Sequence, residues 1–70
     1  MICYDRFWVL LSDKGISSYA LIHKFGISGS VLHSLRHNKS VSITTLNKLC
    51  TILQCDVGDI MHFVPDEEAD

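Results

Sequence analysis

The sequence predicts an all-α domain of five short helices around one small core. Three observations carry that expectation. Apolar residues recur at helical spacing, most clearly Leu46, Leu49, Cys50 and Leu53 at i, i+3, i+4 and i+7. Residues that cap helices stand before the apolar runs: Asp5, Ser17, Ser28, Ser42 and Asp56. Glycines that can take a positive φ, Gly15 and Gly26, stand where runs end. No strand is expected.

Each element follows from those signals. Asp5 is read as the cap of helix one, which runs to about Lys14 with Phe7, Leu10 and Leu11 on its apolar face and Trp8 at the edge. Gly15 stops it. Ile16 leads into Ser17, the cap of helix two, from about Ser18 to Phe25. Gly26 ends that helix and Ser28 caps helix three, from Gly29 to about His37. The turn Asn38-Lys39-Ser40 is polar, and Ser42 caps helix four. Gln54-Cys55 is a short link. Asp56 and Asp59, spaced as a capping box, open a last short helix through Ile60 and Met61. Pro65 ends the ordered part, about 3–64, and residues 65–70 read as a frayed acidic tail.

The 70 residues are expected to form one domain. A chain this short buries only about 60% of its unfolded surface, so its core is small. No apolar run approaches the roughly 20 residues that span a bilayer. The opening Met-Ile-Cys-Tyr-Asp-Arg-Phe-Trp does not read as a signal peptide, so the expected location is the cytoplasm. In that reducing compartment Cys50 and Cys55 are read as small core residues.

Helices two and three meet within about three residues at Gly26-Ile27-Ser28, so they must cross steeply. Such an arrangement is a helix-turn-helix, whose second helix lies in the DNA major groove. The charge pattern agrees with a polyanionic partner, although the whole chain is formally −2. Residues 14–55 carry Lys14, Lys24, Arg36, Lys39 and Lys48 and no Asp or Glu. Six of the eight acids lie in residues 56–70 and the other two, Asp5 and Asp13, precede Lys14; phosphate binding depends on the local field rather than the total.

Taken together, Gly15-Ile16-Ser17, Leu21, Gly26-Ile27-Ser28, Leu32, Leu35, Leu46-Asn47-Lys48-Leu49 and Asp59-Ile60-Met61 carry a resemblance. The chain resembles the Cro/CI-type (XRE-like) bacterial and phage helix-turn-helix regulators over about residues 5–64. The resemblance implies a five-helix, lambda-repressor-like DNA-binding domain, acting as a homodimer on double-stranded DNA, with a repressor the expected kind. It implies no enzyme activity, cofactor, small-molecule substrate or membrane attachment.

At 100° per residue, the face of helix three opposite Leu32 and Leu35 carries Ser30, His33, Ser34 and His37, with Gly29 at its leading edge. The resemblance puts Gly29, Ser30 and Ser34 at base edges, and His37, Asn38 and Lys39 on a phosphate-gripping loop. It puts Ser18 where the family often has a phosphate-binding Gln. Ser17, Tyr19, Ser28, His33 and Arg36 complete the expected DNA-contacting set, with the amides opening helix two as a further phosphate site. Gly and Ser are short where base readers are usually long, so shape, water or His33 is expected to supply part of the readout. Many family members also pair an Arg at the place of Leu11 with a Glu at that of Arg36. Here Leu11 is expected to pack on the Arg36 stem and leave the guanidinium free for solvent or phosphate.

Duller readings stand beside these. His33 and His37, four apart, have zinc-ligand spacing, but two ligands do not make a closed site, so they are read as solvated or phosphate-facing. The serines are at caps and the acids at the termini, which does not suggest a catalytic triad. Trp8, Phe63 and Val64 read equally as core or as an exposed patch; with Met61 they are the candidate dimer contact. The rival function is a protein-interaction module of the same fold, such as an antitoxin-like partner-binding protein, which the short side chains of helix three favour.

Overall fold

The computed structural model describes residues 1–65. Four α-helices follow one another, α1 (Asp5–Lys14), α2 (Ser18–His23), α3 (Gly29–Arg36) and α4 (Ile43–Leu53). The fifth expected helix is a single 3₁₀ turn, Val57–Asp59. Contrary to the expectation of no strands, two short ones pair antiparallel, β1 (Ile2–Cys3) and β2 (His62–Phe63). Ile2 faces Phe63 and Cys3 faces His62. The ribbon ties the start of the chain to the end of the described part.

The capping residues explain most boundaries. Ser17 Oγ accepts from Ala20 N–H at 3.0 Å, Ser28 Oγ from Val31 N–H at 3.3 Å and Ser42 Oγ from Thr45 N–H at 3.1 Å. Each answers a backbone donor that the first helical turn leaves without an intrahelical partner. Asp56 and Asp59 form the anticipated capping box, yet only one 3₁₀ turn follows. Ile60 is fully buried and the chain then enters β2, so tertiary placement ends the helix.

One expected cap and two helix ends differ. Asp5 is the first helical residue, with Tyr4 in the cap position, and its carboxylate turns to His62 instead of the helix amides. Nε2 of His62 lies 2.5 Å from Asp5 Oδ1. α2 stops at His23, before Phe25, and α3 stops at Arg36, before His37. In the first case Gly26, at φ 71°, reverses the chain and Ile27 N–H reaches back to the Leu21 carbonyl at 3.0 Å. Ile22 and Phe25 are therefore exposed and only Leu21 of that run enters the core.

The core joins Tyr4, Phe7 and Leu11 to Leu21, Ile27, Leu32 and Leu35, and to Leu46, Leu49, Leu53 and Ile60. Every α-helix contributes, α2 through Leu21 alone and the others through residues three or four apart. Cys50 and Cys55 are half-buried against this core rather than inside it. Of the candidate patch, Phe63 is 66% exposed, whereas Trp8, Met61 and Val64 are half-buried. Of the expected frayed tail, 65–70, residues 66–70 lie outside the described residues.

Candidate nucleic-acid interface

α3 is eight residues long, or about 12 Å at 1.5 Å per residue, close to the width of the major groove. Leu32 and Leu35 seat it on the core, which fixes its rotation. The opposite face presents Gly29, Ser30, His33 and His37 to solvent, with Ser34 half-buried. The His33 and His37 rings lie 4.3 Å apart and tilted by 45°, one helical turn from each other. A Cβ at Gly29 would meet nothing within 4 Å, so the front of the helix is open to close approach.

Several hydroxyls of this surface are already engaged in the fold. Ser17 and Ser28 accept from backbone N–H groups, and Ser28 Oγ also lies 3.1 Å from Ser30 Oγ. A hydroxyl that accepts one bond keeps its own hydrogen to donate, so capping and phosphate binding are compatible. Tyr19 is 71% exposed at the start of α2, its ring 4.1 Å from that of His23. α2 has only six residues, so the dipole behind its first amides is that of fewer than two turns.

Arg36 departs from expectation. Leu11 is a core residue, and the aromatic surface beneath Arg36 is Trp8, with the guanidinium carbon 5.0 Å from the ring centroid. Its Nη2 donates to Ser18 Oγ at 3.3 Å. The guanidinium is thus oriented by α1 and α2, not free; it stays exposed and retains further donors. Trp8 in turn stands edge-on to buried Phe7, with centroids 4.8 Å apart. The chain from core ring to surface cation crosses α1 and α3, a relation that helical spacing within either one does not reveal.

The loop after α3 is held as firmly. Asn38 takes a left-handed conformation at φ 54°, and Lys39 N–H closes on the Ser34 carbonyl at 2.8 Å. Asn38 Oδ1 accepts from Tyr4 N–H at 3.2 Å, while Tyr4 OH donates to the Lys39 carbonyl at 2.9 Å. Asn38 therefore shapes the loop and Lys39 is left with its ammonium in solvent. Tyr4 was not among the expected site residues, because its role depends on contacts 34 and 35 residues away. Lys48 was likewise missed. From α4 its Nζ donates to the Gly26 carbonyl at 3.5 Å, adding a cation to the turn between α2 and α3.

The architecture can be compared with known proteins. A Cro/C1-type HTH DNA-binding domain model matches residues 6–66. This chain belongs to that family. Among its relatives, the uncharacterized HTH-type transcriptional regulator YozG of Bacillus subtilis (strain 168) is 31% identical over 62 residues, spanning 86% of this chain and 74% of that one. The crystal structure of the transcriptional regulator VanUg superposes with a TM-score of 0.83 at 35% identity, over 93% of this chain and 87% of that one. As a Cro/C1-type domain occupying most of its chain, the protein is a DNA-binding transcriptional regulator. Among the described residues no helix is long and apolar enough to cross a membrane.

Proposed function

We propose that this regulator binds double-stranded DNA as a homodimer, with α3 of each copy in the major groove, and represses transcription from a two-fold-related operator. The single observation that carries this reading is the exposed face of α3, set within a stretch from Lys14 to Cys55 that holds five cations and no carboxylate. In this reading Gly29, Ser30, His33 and Ser34 approach base edges. Ser17, Ser18, Tyr19, Ser28, Arg36, His37 and Lys39 hold sugar–phosphate, and Asn38 positions Lys39. Short hydroxyls accept several base edges, so groove shape and bridging water supply much of the selectivity. The protein needs no cofactor for this and acts in the cytoplasm, where bacterial or phage DNA is read.

The short side chains of α3 also favour the second reading, a protein-interaction module of the antitoxin type. Mobility-shift titrations on random and selected duplexes, across a salt series, separate the two. DNA binding should weaken linearly in log salt, with about 0.9 of slope per neutralised phosphate. Lys39→Ala should weaken both duplexes alike and make the slope shallower by about one unit. Failure to bind any duplex at low salt would favour the protein-binding reading.

A further inference from the structure

The junction between α4 and the 3₁₀ turn brings together two thiols that the proposed DNA surface does not use. α4 ends with Gln54 in the left-handed conformation at φ 51°. The N–H of Gln54 turns back to the Cys50 carbonyl, and so does the N–H of Cys55, at 3.1 Å. In a closure of this kind the residue after the left-handed one packs against the residue five before it. That contact is commonly apolar. Here the two positions that such a closure brings together are both cysteines. Both are half-buried and both line the open groove beside α4, with Ile43, Val57 and Met61 on its walls. Solvent-borne reagents therefore have a path to two thiols on one groove.

We infer that Cys50 and Cys55 form an oxidant-sensitive dithiol, a modification site that a hydroperoxide converts into an intrachain disulfide. A disulfide spans Cα atoms about 4.4–6.8 Å apart and fails when the side chains point away from each other. The backbone bond from Cys55 to Cys50 supplies the approach, and the one groove that both side chains line supplies the direction. Cys3 has neither, since it sits in the ribbon beside a different recess, lined by Asp5, Trp8 and His62.

The two thiols differ in readiness. Burial, then the neighbouring Cys50 thiol and the Asp59 carboxylate, push the Cys55 thiol up to about 11, against the opposing effect of Lys14. Cys55 therefore keeps its proton at neutral pH, and Cys50 reacts first. Its sulfur attacks the peroxide, the O–O bond breaks, and Cys50 becomes a sulfenic acid as one water leaves. Cys55 sulfur then attacks Cys50 sulfur, the S–O bond breaks, and the Cys55 proton departs with the hydroxyl as a second water. The two thiols together lose two electrons and hydrogen peroxide gains two.

The test uses the reduced wild-type chain, treated with hydrogen peroxide, quenched, alkylated with N-ethylmaleimide and digested with trypsin. Cleavage after Lys48 releases a peptide that contains Cys50 and Cys55 and no other cysteine. That peptide should lose the mass of two hydrogens and take up no maleimide, while Cys3 remains alkylated. Reduction before alkylation should restore both sites. In Cys55→Ser the closure should be absent and dimedone should trap a sulfenic acid on Cys50; the wild-type map decides the matter even if that variant does not fold. Alkylation of Cys50 and Cys55 after treatment, or a disulfide through Cys3 instead, would overturn the assignment.

Discussion

Asn38 shows how one residue can be placed at an interface by its position and used by the fold through its side chain. It takes a backbone conformation that costs most L-residues about 1–2 kcal/mol, and asparagine tolerates it better than most. It also supplies the acceptor for Tyr4 N–H. Asn38→Gly keeps the conformation and loses the acceptor, so it should cost about 1 kcal/mol in urea denaturation. Asn38→Ala loses both, and should cost about 1 kcal/mol more than the glycine variant. Equal losses would show that the left-handed backbone contributes nothing. Asp5 makes a second prediction. The hydrogen bond from His62 holds its carboxyl below the usual 3.8, against a smaller opposing effect of burial. A folded-state value below the unfolded one means stability that is present above the unfolded value and lost as pH falls through the folded one. Carbon-detected NMR should find Asp5 titrating below its ordinary range in the wild type and returning toward it in His62→Ala. The stability gap between the two proteins should begin to close as pH falls below about 4 and vanish as pH falls through the lowered folded-state value. Ordinary titration in the wild type would mean that this contact does not persist in solution.

At the scale of elements, local signals placed the starts of α2, α3 and α4 and the ends of α1 and α4, and overran the ends of α2 and α3. Ser17, Ser28 and Ser42 all cap as the sequence suggested, because a cap needs only its own side chain and an amide three residues on. Ser28→Ala should therefore cost about 1 kcal/mol and lower Tm by roughly 4–8 °C. The exposed Ser12→Ala in the interior of α1 should stay within about 0.5 kcal/mol by the same calorimetry. Similar losses at both sites would remove the capping role assigned to Ser28. The ribbon was invisible in the sequence. Each strand has two residues, and the paired Ile2 and Phe63 are far apart along the chain. A strand that short has no alternation to detect, and its pairing depends on the fold that sets Ile2 beside Phe63. Of the expected interface, the α3 face was legible from period alone, whereas the Trp8 shelf under Arg36 and the Tyr4 anchor of the loop were not.

In the proposed reading each copy offers α3 to the groove, and a 12 Å helix spans only about four base pairs at 3.4 Å each. Selectivity then calls for a second copy, with the two α3 helices about 34 Å apart, one DNA turn. Phe63, two-thirds exposed at the ribbon surface opposite Ile2, is the best-placed apolar contact of the expected dimer patch. Light scattering of the protein on a palindromic duplex should report two chains per site. Phe63→Glu should shift the free protein toward monomer and weaken palindrome binding more than half-site binding. One chain per duplex at saturating protein would refute the dimer.

The sequence by itself determined the helical class, the starts of α2, α3 and α4, the tight turn at Gly26 and the acid-free stretch around it. These depend on residues within about one turn of each other, or on charge counted along the chain. Only the tertiary structure decided that the fifth helix is a 3₁₀ turn, that the chain ends pair as strands, and that Trp8 and Ser18 orient Arg36. It also decided that the Cys55 backbone closes on that of Cys50 through the left-handed Gln54. The physical reason is range. Caps and glycine turns are settled by the nearest amides, whereas strand pairing, cation stacking and side-chain contact depend on where the buried helices set distant residues against each other.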